Sequence, residues 1–396
     1  MESWCKDRSP YPNNVNRFNP TSSISDDGMW KEVPVPSRLY SRPSSERPLA
    51  GVRVSLKDIF HLKGSKTTMM SRAYTALYPA QEKSASYAQK LIDLGAIIVG
   101  KTKMTQFASS DEPTDQWIDF HCPVNPRGDE YQSPSGSSSG AAAALAGYSW
   151  LDSSVGGDSA GSIRAPATCN GLFSIRPSTE STSMDDIVVN SPHFDVVGLF
   201  GRSLSDLHHI ASRTLNLSDG STSFPTKIIY PLDFSPHSNP QHQAMVEEFV
   251  GVLESFLGTK RVEISLADRW EACPPLEANG KPLKEYLAKA GAHNHLHRVH
   301  SGLCAMTTTM DLTTFDPSTK QNLEQSLSKV QLGIGKEVTA EEYAAYRQEL
   351  KVFRTWFVDN IFARDPDTLS DAIMIMPYGS ANPKYRDRPN GLFPTP

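Results

Sequence analysis

The chain has 396 residues, of which 38% are hydrophobic and 21% charged, and 39 Lys+Arg against 44 Asp+Glu give a formal net charge of −5. That is apolar material enough for a sizeable core, too much for a disordered chain, and without the cationic excess that a nucleic-acid partner calls for. Five cysteines at wide spacings, with no CxxC pair, speak against a disulfide framework or a structural zinc site.

Met1–Asp7 lacks the apolar stretch of a secretory signal, and no apolar run approaches membrane-spanning length, so a soluble cytoplasmic protein with no membrane partner is expected. Residues 1–48 are rich in Pro, Ser and Asn and read as an extended arm. From there Val52, Val54 and Leu56 alternate with Arg53, Ser55 and Lys57, the period of a half-buried strand. Lys57 then falls opposite the apolar row, just before Asp58. Ser84 to Gly95 carries Ala88, Leu91 and Ile92 at helical spacing, with Gly95 as the stop, and 96–99 is a short buried strand closed by Gly100-Lys101-Thr102. A strand, a helix and a strand in close succession imply an α/β layer.

Residues 132–182 are dense in Ser, Gly and Ala. Ser133–Gly140 feeds an Ala-rich helix from Ala141, which leaves backbone N–H groups free at a helix start. Ser203 with Asp206 forms the pattern of a capping box for a helix through Ile210. Residues 221–241 read as a Pro-rich linker, and 242–257 as an amphipathic stretch with Met245, Phe249, Val252, Leu253 and Leu257. Longer helices are expected over 281–305 and 339–362, and a late strand over Asp371–Pro377. The resulting division is 1–48 arm, 49–220 a catalytic-looking core, 221–241 linker, 242–370 a helical region, and 371–396 late strand and shortened tail.

Two segments fit the G-x-S-x-G nucleophile elbow: Gly136–Gly140, which selects Ser138, and Gly157–Gly161, which selects Ser159. Gly-Asp-Ser-Ala-Gly resembles the elbow of hormone-sensitive-lipase-like esterases. The chain has no upstream HGGG loop, however, and Pro166 interrupts the helix that should follow Ser159. Taken singly, other features have plain explanations. Lys57-Asp58 could be a surface ion pair, Ser133–Ser139 a linker or phosphate cradle, and Ser162 a helix cap. His293, His295, His297 and His300 crowd one stretch with no acidic residue among them, the pattern of a polar helix face rather than a metal site. Cys169 reads as a small buried hydrophobe, and Asp158 and Arg164 as scaffold for their loop.

As an ordered set the segments say more. Gly51–Asp58, Gly95–Ala108, Asn125–Arg127 with Ser135–Gly140, Gly157–Pro166, and Phe194–Gly198 with Arg202, Ser203, Asp206 and Leu207 resemble the motifs of the amidase signature family, in order. The resemblance implies an α/β fold, an α/β/α sandwich around a mixed β-sheet, lacking the family's C-terminal part because the chain stops at Pro396. It implies a Ser–cisSer–Lys triad on Ser162, Ser137 and Lys57, and an oxyanion hole from the backbone N–H groups of Ser159, Ala160, Gly161 and Ser162. The implied activity is hydrolysis of a small-molecule carboxamide through an acyl-enzyme, with neither metal nor organic cofactor. The resemblance also implies that 49–220 is the catalytic core and that 242–370 shapes substrate access.

That chemistry needs a neutral lysine, whose pKa must fall from about 10.4 toward neutrality by burial, and a serine to relay the proton. The family's loops usually have glycine where this chain has Ser135, Ser139 and Ala160, and threonine where it has Gly157. If position 160 requires a positive φ, the alanine Cβ costs on the order of 1 kcal/mol and narrows the site. The short C-terminus leaves a sheet edge expected to be unpaired. Ala160 and that stop define the alternative of a non-catalytic binding or scaffold protein; a Ser159 esterase is the other.

Overall fold

The computed structural model describes residues 33–39, 41–108, 117, 119–216, 223–290, 338–362, 370–379 and 382–386, together with the strand backbone of 2–6, 18–21, 23–24 and 31–32. The chain divides into two compact units. The first comprises Met1–Asn216, Gly302–Gln331 and Pro383–Pro396; the second comprises Leu217–Ser301 and Leu332–Asn382.

The first unit contains, in chain order, β1 (Glu2–Lys6), β2 (Phe18–Thr21), β3 (Ser23–Ile24), β4 (Lys31–Glu32), β5 (Arg53–Lys57), α1 (Arg72–Leu77), α2 (Ser86–Asp93) and β6 (Ile97–Thr102). It continues with α3 (Ser139–Gly147), β7 (Ser153–Asp158), α4 (Arg164–Cys169), β8 (Phe173–Ile175), β9 (Val196–Gly201) and α5 (Leu204–Thr214). Seven strands form one sheet in the order β2-β1-β6-β5-β7-β9-β8. β5 runs parallel to β6 and β7, while β9 is antiparallel to both β7 and β8, so the sheet is mixed.

β5 therefore sits inside the sheet with both faces covered. The alternation in its sequence led to a half-buried strand, yet Ser55 and Lys57 are as buried as Val54 and Leu56. The polar row is tolerated because it finds partners: the Ser55 and Ser154 hydroxyls lie 2.7 Å apart on adjacent strands. Helices cover both faces. Ala141, Ala142 and Leu145 of α3 and Ala167 of α4 pack with Val99 of β6 and Phe200 of β9. On the opposite face, a Cβ at Gly201 would lie 3.1 Å from that of Leu207, so α5 rests directly on the end of β9. Tyr87 of α2 donates to Thr214 of α5 at 2.8 Å. Ser203 caps α5 by accepting the Asp206 N–H, and the helix runs on past Ile210 to Thr214.

The second unit contains β10 (Lys227–Pro231), α6 (Pro240–Leu257), β11 (Arg261–Ile264), α7 (Leu266–Ala272), α8 (Leu283–Tyr286), α9 (Ala340–Asn360) and β12 (Ala372–Met374). Its three-stranded parallel sheet has the order β11-β10-β12. Part of the stretch expected to be a linker is thus its central strand. Ile228, Ile229 and Tyr230 are buried there, and a Pro-rich context masked an apolar run too short to stand out. The late strand is present as β12, and α9 begins with a full capping box of Thr339 and Glu342. The long helix expected from 281 is only the four-residue α8, followed by turns through 290; its later part and the His293–His300 cluster lie outside the described residues. In α6 the apolar stripe is not the packed one: Met245, Phe249 and Val252 are exposed, whereas Val250 is buried. Among the described residues no helix is long and apolar enough to cross a membrane.

Candidate active site

β5 ends at Lys57, on the sheet face that carries α3. The side chain is 1% exposed, and its Nζ donates to the Ser137 hydroxyl at 2.6 Å and to the Gly157 carbonyl at 3.3 Å. Burial, the larger influence, lowers its pKa from 10.5 to about 7, against the charges of Asp158 and Asp195, which raise it. An amine in this state releases its proton within the neutral range. Asp58, the residue next door, does not pair with it; that carboxylate binds Lys101 at 2.5 Å. The surface ion pair that Lys57-Asp58 suggested does not form.

Ser137 is held by the loop ahead of α3. It is fully buried, its peptide bond to Gly136 is cis, and its carbonyl accepts the Thr105 N–H at 3.0 Å. The neighbouring Ser138 N–H donates to the Ser162 carbonyl at 3.2 Å, which ties this loop to the segment after β7. Gly156 permits the approach, since a Cβ there would lie 2.7 Å from the Ser138 Oγ.

Lys57, Ser137, Ser159 and Ser162 line a single cleft. Its other wall is apolar at Ile59, Met184 and Val188 and polar at Asn190 and Asp195. Of the two elbow serines, Ser138 is fully buried with its hydroxyl on the Gly157 carbonyl, and Ser159 donates its hydroxyl to Asp195. Neither is paired with a histidine.

The segment from Ser159 to Ser162 is anchored by Asp158. This carboxylate is 1% exposed and accepts the N–H groups of Gly161 at 2.8 Å and Ile163 at 3.1 Å, and the guanidinium groups of Arg164 and Arg176. Burial works against its charge, but the hydrogen bonds and positive charges of Arg164 and Arg176 prevail and hold it below the ordinary carboxylate range. The scaffold role expected of Asp158 and Arg164 is the one they have.

Two expectations about this segment change. The Gly161 N–H is committed to Asp158, which leaves Ser159, Ala160 and Ser162 as the candidate oxyanion donors. The positive φ falls on Gly161, at 141°, and not on Ala160, whose methyl group is exposed and carries no such strain. Cys169, half-buried at the end of α4, does not line the cleft. Sequence reasoning assigned no role to Arg176 or Asp195. Both act on residues far along the chain, and neither stands in a spacing pattern that points to its partner.

This mixed-sheet α/β fold has counterparts among known proteins. Residues 37–361 match the Amidase family, and the chain belongs to it. It is 32% identical over 191 residues to Amidase 1 of Oryza sativa subsp. japonica, a stretch covering 48% of this chain and 43% of that protein. It is 37% identical over 166 residues to a glutamyl-tRNA(Gln) amidotransferase subunit of Microcystis aeruginosa, covering 42% of this chain and 33% of that protein. Each of these two matches thus spans less than half of the relative's length. Among solved structures, peptide amidase from Stenotrophomonas maltophilia shares the fold, with a TM-score of 0.56 and 20% identity, over 77% of this chain and 65% of that one.

Proposed function

We propose that the chain hydrolyses the C–N bond of a small-molecule carboxamide through an acyl-enzyme on Ser162. The reading rests on one observation above the others: a fully buried amine, with a pKa near 7, in 2.6 Å contact with the Ser137 hydroxyl at the cleft that Ser162 lines. Neutral Lys57 takes a proton from Ser137 as Ser137 takes one from Ser162, whose oxygen attacks the amide carbon. The tetrahedral oxyanion is met by backbone N–H groups of Ser159, Ala160 and Ser162, each donor contributing on the order of 3 kcal/mol. The proton returns along the same path to the leaving ammonia or amine, the C–N bond breaks, and water then hydrolyses the ester to regenerate Ser162. No metal or organic cofactor enters this scheme. A cytoplasmic setting belongs to the same reading, supported by the free thiols of Cys122 and Cys273.

The experiment is labelling of the intact chain with a fluorophosphonate, followed by peptide mapping. The adduct is expected on Ser162 and absent in Ser162→Ala. An adduct on Ser159 would establish the esterase instead, a reading that its hydrogen bond to Asp195 disfavours. An intact chain that takes up no label would leave the non-catalytic binding protein.

A further inference from the structure

Asp195 stands just ahead of β9, is 8% exposed, and lines the cleft together with Lys57, Ser137 and Ser162. One carboxylate oxygen accepts the Ser159 hydroxyl; the other accepts the backbone N–H groups of Asn190 at 2.6 Å and Ser191 at 3.0 Å. All three hydrogen-bond donors are neutral; the nearby cation is Arg176, whose guanidinium bonds Asp158 and the Phe194 carbonyl and feels the Asp195 charge from there. Ser159 opens the oxyanion segment, and its tether fixes where that segment begins.

The charged groups around Lys57 differ in this respect. Asp158, at the end of β7, is matched by Arg164 and Arg176. Asp58, which follows β5, is matched by Lys101 of β6. The loop from Ser135 to Ser139 brings only hydroxyls. Asp195 is the anion at this site whose direct hydrogen bonds all come from neutral groups.

We propose that Asp195 is a positioning residue serving both halves of the site: its carboxylate tethers the oxyanion segment through Ser159, and its charge acts on the amine of Lys57. The inference rests on the amidase reading above. In support, the charge of Asp195 favours the protonated form of Lys57, against the larger effect of burial.

The test compares the full chain with Asp195→Asn, Asp195→Ser and Ser159→Ala. Two replacements at 195 guard against loss of folding in either, since the carboxylate also holds two backbone N–H groups. The readouts are kcat/KM for a p-nitroanilide against pH and the titration of Lys57 by 15N-lysine NMR. Both Asp195 variants are expected to move the Lys57 midpoint and the acidic limb of the rate profile to lower pH by roughly 1. Ser159→Ala keeps the charge, so it should lower kcat roughly 10–100-fold through misplacement of the segment while leaving the midpoint where it was. An unmoved midpoint in the Asp195 variants, or a midpoint moved equally by Ser159→Ala, would overturn the proposal. The NMR titration needs no turnover. Failure of the amidase reading, seen as a parent chain that hydrolyses no amide and takes up no fluorophosphonate on Ser162, is therefore told apart from failure of this one.

Discussion

Two lysines end up buried on adjacent strands of the same sheet, and their surroundings make them different chemical groups. Lys57 is paired in register with Thr102, and Lys101 with Leu56, so the two side chains leave opposite faces of the sheet. Lys101, 4% exposed, lies 2.5 Å from the Asp58 carboxylate and also donates to the Thr67 hydroxyl and the Lys66 carbonyl. Lys57 meets a hydroxyl and a carbonyl instead. An amine buried against an anion is a strut whose charge is compensated; an amine buried against neutral acceptors is easily deprotonated, and so can act as a base. Burial alone does not distinguish structure from chemistry here. The contact partner does.

The sharpest way to break this contrast is to remove the amine from each position. Lys57→Met should lower kcat for amide hydrolysis by roughly 10³–10⁴-fold while the chain stays folded, because a general base is lost and no counter-charge is stranded in contact. Full activity in Lys57→Met would show that the contrast has no catalytic meaning. The other lysine is probed through its partner. Asp58→Ala leaves Lys101 buried without its anion, and the unfolding free energy in urea should fall by roughly 3–5 kcal/mol. A loss below about 1 kcal/mol would mean that the ion pair is not the strut described.

How far this was readable from the sequence depends on the range of each interaction. Lys57, Ser137 and Ser162, which line one cleft, are candidates from the sequence because each lies in a short segment whose order along the chain resembles a known pattern. The strands and helices of the first unit were legible where an apolar period ran for several residues. What could not be read is pairing across distance. The neighbours Lys57 and Asp58 suggested a local ion pair, yet Asp58 chooses Lys101, brought alongside by the parallel register of β5 and β6. Arg176 reaches Asp158 from β8's end, with nothing in either segment to announce it. In the second unit, periodicity correctly marked α6 but not which of its faces packs, since Met245, Phe249 and Val252 are exposed there. The strand β10 was hidden inside a Pro-rich stretch. Local patterns survive translation into structure; side-chain partners need the topology.

A pH series sharpens the same contrast through stability. In the folded chain Lys57 loses its proton near pH 7, and in the unfolded chain near its ordinary 10.5. Between those values the unfolded chain binds more protons, so raising the pH stabilises the fold. Below about pH 7 both states are protonated, and the folded state carries the full cost of the buried ammonium. The Tm advantage of Lys57→Met over the parent chain should therefore be largest below pH 7 and decline as pH rises toward 10.5. A difference independent of pH would place the effect in packing and not in charge.

The smallest effect expected concerns the proposed oxyanion segment, where Ala160 and Gly161 are a second pair of neighbours with different constraints. Gly161 holds a φ of 141°, in the range that L side chains avoid, and its N–H is fixed on Asp158. Gly161→Ala should cost roughly 1–3 kcal/mol in stability and reduce turnover by displacing the Asp158 contact. Ala160 has an exposed methyl and ordinary φ, so the backbone asks nothing of a glycine there. Ala160→Gly should leave kcat within about twofold and lower stability by roughly 0.4–1 kcal/mol, because the freer unfolded chain has more conformations to lose. Thermal melts and steady-state rates on the two variants suffice. A marked gain in kcat for Ala160→Gly would mean that the methyl group obstructs the site.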